Sequence, residues 1–195
     1  MTPTDETTLP IALAADLDAS FEALVLTFQD RLFCFALRMT CNPQDAEEIT
    51  QDAFVRAYHA LQGYTCERTH ALALRPWLYQ ITLNLTRNRY RGRKIEVTTL
   101  DDEKKDWGAK VADDETKRPD SIFERDERQD RLNTLLLQLP AKYREAVVLR
   151  FVEDLSYADV AEILRQPIGT IKSHVHRGVH MLRKALLSEL DEVRL

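Results

Sequence analysis

The spacing of apolar residues near the start of the chain constrains the fold more than any other feature. Large apolar side chains recur three and four positions apart, which places them on one face of a helix: Phe21, Leu24, Val25, Phe28, Leu32, Phe35 and Met39. The 195 residues include only five glycines, and a sheet-rich fold with many tight turns would need more. The sequence therefore predicts an all-α protein.

Helical spacing divides the chain into two small helical domains. Asn42 and Pro43 end the first helix and start a second that runs to about Leu61, because Asn caps exposed amides and Pro suits the first helical position. Pro76 starts a third helix, and helical spacing resumes at Ile122 after a charged, polar stretch. The expected organisation is a tail at 1–17, a first domain at 18–95, a flexible acidic linker at 96–121, a second domain at 122–190 and a tail at 191–195.

Basic residues are concentrated in two blocks, although the formal net charge is -5. The stretch from Ala53 to Ile95 holds eight Lys and Arg against one acid, Glu67. The stretch from Ile163 to Ser188 holds five Lys and Arg and no acid. Because a nucleic acid contacts only the surface that it meets, the distribution of charge matters more than the total. The two blocks therefore indicate nucleic-acid-binding surfaces.

The second basic block has the pattern of a helix-turn-helix. Ser156 and Asp159 form a capping box that starts a short helix to Leu164. The helical pattern breaks at 165–169 and resumes from Thr170 to Leu187. The residues predicted to point inward on this second helix are Ile171, Val175, Val179 and Leu182. Two helices joined by a tight turn, the second longer and basic, are typical of a DNA-binding helix-turn-helix.

The outward face of that second helix carries side chains that can reach phosphates and base edges: Lys172, Ser173, His176, Arg177 and His180. A plain solvated helix face is the alternative interpretation, and the turn, the cap and the absence of acids favour DNA over it. His176 and His180 share a face at i, i+4, but no HExxH pattern or nearby cysteine completes a metal site. We therefore predict no metal here.

The third helix of the first domain mixes aromatic residues with arginines and asparagines. Such a mixture beside a basic groove suits single-stranded DNA, whose unstacked bases can be held against aromatic rings. The residues that face out at helical spacing, and that we expect to bind DNA, are Asn84, Arg87, Asn88 and Arg91. Trp77 and Tyr79 have a second interpretation as core residues, which we favour for Trp77.

Other chemistry has little support in the sequence. Cys34, Cys41 and Cys66 form an odd set without CxxC spacing, which predicts neither a disulfide framework nor a zinc site. The chain has no glycine-rich phosphate loop and no nucleophile with a recognisable base, so neither a cofactor nor an enzymatic activity is expected. It also has no leader pattern and no span long enough to insert into a membrane, which predicts a cytoplasmic protein.

Four stretches resemble bacterial RNA polymerase sigma factors. Residues 45–58 (DAEEITQDAFVRAY) resemble sigma region 2.2, and residues 76–85 (PWLYQITLNL) resemble regions 2.3 to 2.4. Residues 139–150 and 156–186 resemble region 4, and nothing like region 3 lies between. That omission is the mark of the extracytoplasmic-function (ECF) group. The chain is thus similar to ECF sigma factors, alternative specificity subunits that have no catalytic role of their own.

The resemblance implies partners and roles. Region 2 of such proteins binds the clamp helices of the largest subunit of core RNA polymerase, and recognises and helps melt the minus-ten promoter element. Region 4 binds the flap of the second-largest subunit and reads the minus-thirty-five element. By position, it implies polymerase contacts at Glu48, Gln51 and Asp52, and minus-thirty-five contacts at Lys172, Ser173, His174, His176 and Arg177. It also implies an anti-sigma factor as a partner.

Two positions depart from the family pattern, and rival functions stay open. Arg165 stands where the helix-turn-helix usually has glycine, so the turn needs another backbone conformation or some strain. His174 stands where an arginine usually follows Lys172 and Ser173, giving a weaker, pH-dependent phosphate contact. The main alternative is a stand-alone helix-turn-helix regulator. A protein-binding adaptor is another, but it would not need two separated basic blocks.

Overall fold

The structure, a computed structural model, describes the backbone of residues 6–97 and 131–192 and the side chains of residues 6–89 and 131–188. Its regular structure within these residues is helical, which confirms the predicted all-α fold. In chain order the helices are α1 (Leu9–Ala15), α2 (Leu17–Thr40), α3 (Pro43–Gln62), α4 (Cys66–His70), α5 (Leu74–Val97), α6 (131–138), α7 (Ala141–Val147) with a π-helical turn (Val148–Val152), α8 (Tyr157–Leu164) and α9 (Ile168–Glu192). No helix in these parts of the chain is both long and apolar enough to cross a membrane.

The N-terminal segment differs from the prediction. The sequence predicts a tail over residues 1–17, but α1 forms there and packs against α2 and α4. Leu9 and Leu13, one helical turn apart, are both buried. Pro10 does not break this helix because it lies in the first turn, where its missing amide has no helical partner. Two apolar positions are too few to show a period, so a seven-residue helix was missed.

Helices α2, α3 and α5 form the core of the first unit. The predicted apolar face of α2 buries Leu24, Phe28, Leu32 and Phe35 completely. Asn42 caps α3 as predicted, and its side-chain oxygen accepts hydrogen bonds from the amides of Gln44 and Asp45. Helix α5 begins at Leu74, slightly earlier than predicted, and the short α4 lies in the loop before it.

The second unit contains the predicted helix-turn-helix, formed by α8 and α9. The capping box of Ser156 and Asp159 is present, with both reciprocal hydrogen bonds made. Ile171 and Val175 point inward as predicted, but Val179 is 40 % exposed, so its predicted inward position is wrong. Gly178 is buried instead, and a Cβ atom added there would lie 2.6 Å from Cγ2 of Val147. Because α9 crosses α7 at this glycine, its inner face turns toward position 178.

The two units pack against each other. Helix α5 lies against α8, and α2 lies against α7. Buried apolar residues of both units belong to one continuous cluster, which includes Phe35 and Leu78 from the first and Val148 and Ile163 from the second. The end of α8 is thereby brought beside Asn84 and Asn88 of α5.

Candidate nucleic-acid and polymerase interface

The predicted polymerase-binding residues share one exposed face of α3. Glu48, Gln51 and Asp52 are spaced i, i+3 and i+4, and all three are exposed. Glu48 forms an ion pair with Arg89, which also binds the buried carboxylate of Asp45 at 2.9 Å. These pairs brace α3 against α5 and leave Gln51 and Asp52 facing solvent.

Sequence reasoning missed Val55, which continues this face of α3. Its side chain is 55 % exposed and lies three positions after Asp52, so it extends the same surface by one helical turn. Val55 gives the otherwise polar face of α3 an exposed apolar end. The available signal was that the inward positions of α3, Ala53, Phe54 and Ala57, leave Val55 pointing outward.

The predicted minus-ten residues are brought together along α5. Asn84 and Asn88 are exposed, whereas Arg87 is half-buried. The guanidinium of Arg87 binds both carboxylate oxygens of Glu145 on α7, with Nε at 3.1 Å and Nη2 at 2.6 Å. These hydrogen bonds raise the pKa of Arg87. The fourth predicted residue, Arg91, lies on α5, but its side chain is outside the described residues.

An aromatic cleft adjoins this face. The guanidinium of Arg68 lies over the ring of Tyr64 at 3.7 Å, and Tyr64 in turn lies 6.1 Å from Trp77 between ring centroids. A cleft of about 350 Å³ passes beside Arg68, Trp77 and Gln80. Trp77 is half-buried against the core, so it belongs both to the core, as favoured, and to the cleft wall. An aromatic and guanidinium lining of this kind can stack on an unpaired base.

The outer face of α9 carries four of the five residues predicted to bind the minus-thirty-five element. Lys172, Ser173, His176 and Arg177 are all exposed. The fifth, His174, is half-buried and lies edge-on to the ring of Tyr143, 5.4 Å between centroids. The structure therefore sets His174 apart from the other four, because its helical position points it toward α7.

Comparison with known proteins identifies the family. Residues 24–95 match the family profile of Sigma-70 region 2, and residues 129–182 match that of Sigma-70, region 4. The chain is 33 % identical over 175 residues to the ECF RNA polymerase sigma factor SigW of Bacillus subtilis (strain 168), covering 88 % of this chain and 90 % of that protein. The chain belongs to the ECF sigma factors. It is an alternative sigma factor that directs promoter-specific transcription.

Other relatives agree with this assignment. The sigma factor is 33 % identical over 178 residues to the RNA polymerase sigma-H factor of Pseudomonas aeruginosa, covering 89 % of each chain. Among solved structures it resembles the sigma factor RpoE of Bartonella quintana in complex with the anti-sigma factor NepR, with a TM-score of 0.67, 26 % identity and coverage of 85 % of this chain and 96 % of that one. It also shares the fold of CnrH, solved with the cytosolic domain of CnrY, at a TM-score of 0.66. Nothing in these matches favours a stand-alone regulator.

Two acidic residues of region 4 contact region 2, and neither contact was predictable from the sequence. Glu145 binds Arg87, as described above. Glu153 is buried, lies 3.7 Å from Arg38 and accepts a hydrogen bond from the hydroxyl of Tyr79. Burial, followed by the charge of Glu153, raises the pKa of Tyr79. The two regions of this sigma factor are thus joined by charged and polar contacts as well as by apolar packing.

Proposed function

We propose that three surfaces of this sigma factor divide the work of initiation, with the first on α3. Glu48, Gln51 and Asp52, together with Val55, bind the clamp of the largest polymerase subunit. This assignment is supported by their exposure on one helix face and by their place in the stretch that resembles region 2.2. An acidic, hydrogen-bonding surface suits a basic partner surface.

The second proposed surface holds the non-template strand of the minus-ten element. It consists of Asn84, Arg87, Asn88 and Arg91 on α5 and the cleft beside Trp77. Amide side chains can bond the edges of unpaired bases, while the aromatic rings and Arg68 provide stacking partners. The adjacency of the cleft to Asn84 and Asn88 on the same helix supports this assignment.

The third proposed surface reads the minus-thirty-five element in the major groove. Lys172, Ser173, His176 and Arg177 lie in the N-terminal half of α9, the recognition helix of the helix-turn-helix, where such helices meet base edges. His174 packs on Tyr143, so it contributes less to DNA binding than the other four residues do. The whole proposal rests on one observation. Helices α5 and α9, which belong to different helical units, each expose a polar face.

The proposal extends to domain bounds, partners and setting. Region 2 spans 18–95, the linker 96–121 and region 4 spans 122–190. The sigma factor works in the cytoplasm as a non-catalytic subunit and is restrained by an anti-sigma factor. The anti-sigma complex of the similar RpoE protein supports that last part.

The three surfaces are separable by experiment. Gln51→Ala with Asp52→Ala should weaken binding to core polymerase in a pull-down while the circular dichroism spectrum stays unchanged. Asn84→Ala with Asn88→Ala should leave polymerase binding intact but reduce the permanganate reactivity of the melted bubble. Arg177→Ala should relax promoter preference at one upstream base pair, since a bidentate contact to guanine is worth about 1–3 kcal/mol.

A different result would contradict each of the three assignments. If the folded variant with Gln51→Ala and Asp52→Ala binds polymerase as tightly as the wild type, α3 is not the polymerase-binding surface. If the variant with Asn84→Ala and Asn88→Ala gives a wild-type bubble footprint, α5 does not hold the minus-ten strand. For α9, Lys172→Ala serves as the comparison, because loss of a phosphate contact weakens all sequences alike. Wild-type transcription by both α9 variants on every altered promoter would exclude α9 as the reading helix.

A further inference from the structure

An exposed apolar side chain begins helix α9. Ile168 is the first residue of this helix, and its side chain is 46 % exposed. The next two large apolar residues along the helix, Ile171 and Val175, are buried and pack inward. Ile168 precedes Lys172 by four positions, so the two lie on the same side of α9, one turn apart. Ile168 therefore extends the proposed minus-thirty-five surface by one turn, to the tip of the helix.

The surface beside Ile168 is open. A Cβ atom added at Gly169 would meet nothing within 4 Å. Ser173, one turn further along, donates its hydroxyl hydrogen to the carbonyl of Gly169 at 3.0 Å, so its side chain folds back on the helix. Because neither residue projects far from the helix, a base pair can approach this part of α9 closely.

The charged end of Lys172 lies beside α8. Its ammonium is 5.9 Å from the ring centroid of Tyr157, the first residue of α8, and the guanidinium of Arg150 lies 5.2 Å from the same centroid. In a helix-turn-helix the first helix crosses the DNA backbone, whereas the second enters the major groove. This position suits a phosphate contact for Lys172. On this side of α9, the contact to a base edge is left to Ile168.

An isoleucine side chain restricts which base can lie against it. Isoleucine forms no side-chain hydrogen bonds, and the apolar group that base pairs present in the major groove is the C5 methyl group of thymine. Packing the two together removes apolar surface of both from water. A base edge with an amino or carbonyl group at that place would lose its water without gaining a hydrogen bond. Ile168 therefore favours thymine at the position that it meets.

We propose that Ile168 determines specificity at one position of the minus-thirty-five element by packing on a thymine methyl group. The inference rests on the proposed assignment of α9 to that element. It adds an apolar contact to the polar contacts that we propose for Lys172, Ser173, His176 and Arg177. It also requires that one position of the element be thymine.

The test removes the methyl group from the DNA, since deoxyuridine differs from thymidine only by its absence. The full-length chain with core polymerase selects its preferred upstream element from duplexes that share one promoter used by this protein and are randomised in that element. Each thymine of the selected element is then replaced singly by deoxyuridine, and the affinity is measured by fluorescence anisotropy. We expect the wild type to lose about fourfold in affinity at one thymine, which corresponds to burial of one methyl-sized group.

Variants of the protein then assign that loss to Ile168. Ile168→Ala should bind the thymine and deoxyuridine versions of that position equally well, and Ile168→Val should show an intermediate loss. Ile11→Ala is the matched control, because it makes the same substitution at an isoleucine that is 52 % exposed on α1, in region 2. It should keep the wild-type profile. Thermal melts check that all three variants are folded.

The outcomes separate this inference from the proposed function. The inference is overturned if the selected element contains no thymine, or if the wild type binds every deoxyuridine duplex as tightly as its parent. It is also overturned if Ile168→Ala keeps the full loss at the same position, because another residue then contacts the methyl group. Lys172→Ala and Arg177→Ala are measured on the same duplexes. If neither changes binding, α9 does not read the element and the proposed function fails; if they do and Ile168→Ala does not, only the inference fails.

Discussion

Arg165 forms the turn of the helix-turn-helix in a conformation that suits glycine. Its φ of 52° and ψ of 50° are left-handed. The turn therefore keeps the conformation that suits glycine, and Arg165 adopts that conformation under strain. Its amide donates to the carbonyl of Glu162, and the next amide, of Gln166, donates to that of Ala161. These bonds satisfy the end of α8 and hold the strained residue in place. A left-handed non-glycine residue costs about 1–2 kcal/mol.

We predict that Arg165→Gly stabilises the protein. The relief of strain exceeds the entropy that glycine loses on folding, which leaves a net gain on the order of 0.5–1 kcal/mol. Thermal unfolding followed by circular dichroism measures this as a higher Tm. Arg183→Gly is the control, because Arg183 is exposed within the helix α9, where glycine should lower stability by about 1 kcal/mol. Destabilisation by both substitutions would contradict the strain assigned to Arg165.

Helix α9 depends on a close approach to α7 at Gly178. A Cβ atom at that position would lie 2.6 Å from Val147 Cγ2 and 3.4 Å from the backbone oxygen of Tyr143. Gly178→Ala should therefore destabilise the protein by about 1–2 kcal/mol through overpacking, in spite of the better helix propensity of alanine. Gly169→Ala is the control on the same helix, where a Cβ would meet nothing within 4 Å. It should be neutral or stabilising, so chemical denaturation should give Gly178→Ala a lower midpoint than the wild type and Gly169→Ala an equal or higher one. Equal unfolding midpoints would show that α9 tolerates the extra carbon and that the approach is not tight.

The helices that could be predicted were those with a long apolar repeat or a strong cap. The face of α2 repeats over five turns, Asn42 with Pro43 marks the start of α3, and the capping box marks α8. Helix α1 was missed because two buried leucines do not make a period. The inner face of α9 was misread at Val179 because a buried glycine carries no apolar signal, and only the packing against α7 shows its role.

The candidate site was predictable in its exposed parts and not in its contacts. Helical spacing alone placed Gln51, Asp52 and most of the α9 residues on outward faces. It could not show that Arg87 pairs with Glu145, 58 positions away, or that Tyr79 pairs with Glu153, 74 positions away. With 27 Lys and Arg and 32 Asp and Glu in the chain, sequence alone offers too many possible pairings. Only the packing of region 4 against region 2 selects these pairs.

At the scale of the whole molecule, the sequence and the structure emphasise different states. The sequence predicts two DNA-binding units with a linker between them, which is the arrangement that two separated promoter elements require. The structure shows the two units packed against each other. Glu153 and Glu145 of region 4 form ion pairs with Arg38 and Arg87 of region 2. A basic surface that could bind DNA also attracts carboxylates of its own chain, as the pairing of Arg87 with Glu145 shows.

Transcription in vitro shows directly whether this chain gives core RNA polymerase a promoter preference. Purified core polymerase from the source organism is supplied with a fragmented genomic library, with and without the protein, and the RNA start sites are mapped. We expect a set of starts that appear only with the protein and share two short sequence elements near positions minus ten and minus thirty-five. A library in which no start depends on the added protein, although the protein is folded and binds the polymerase, would contradict it.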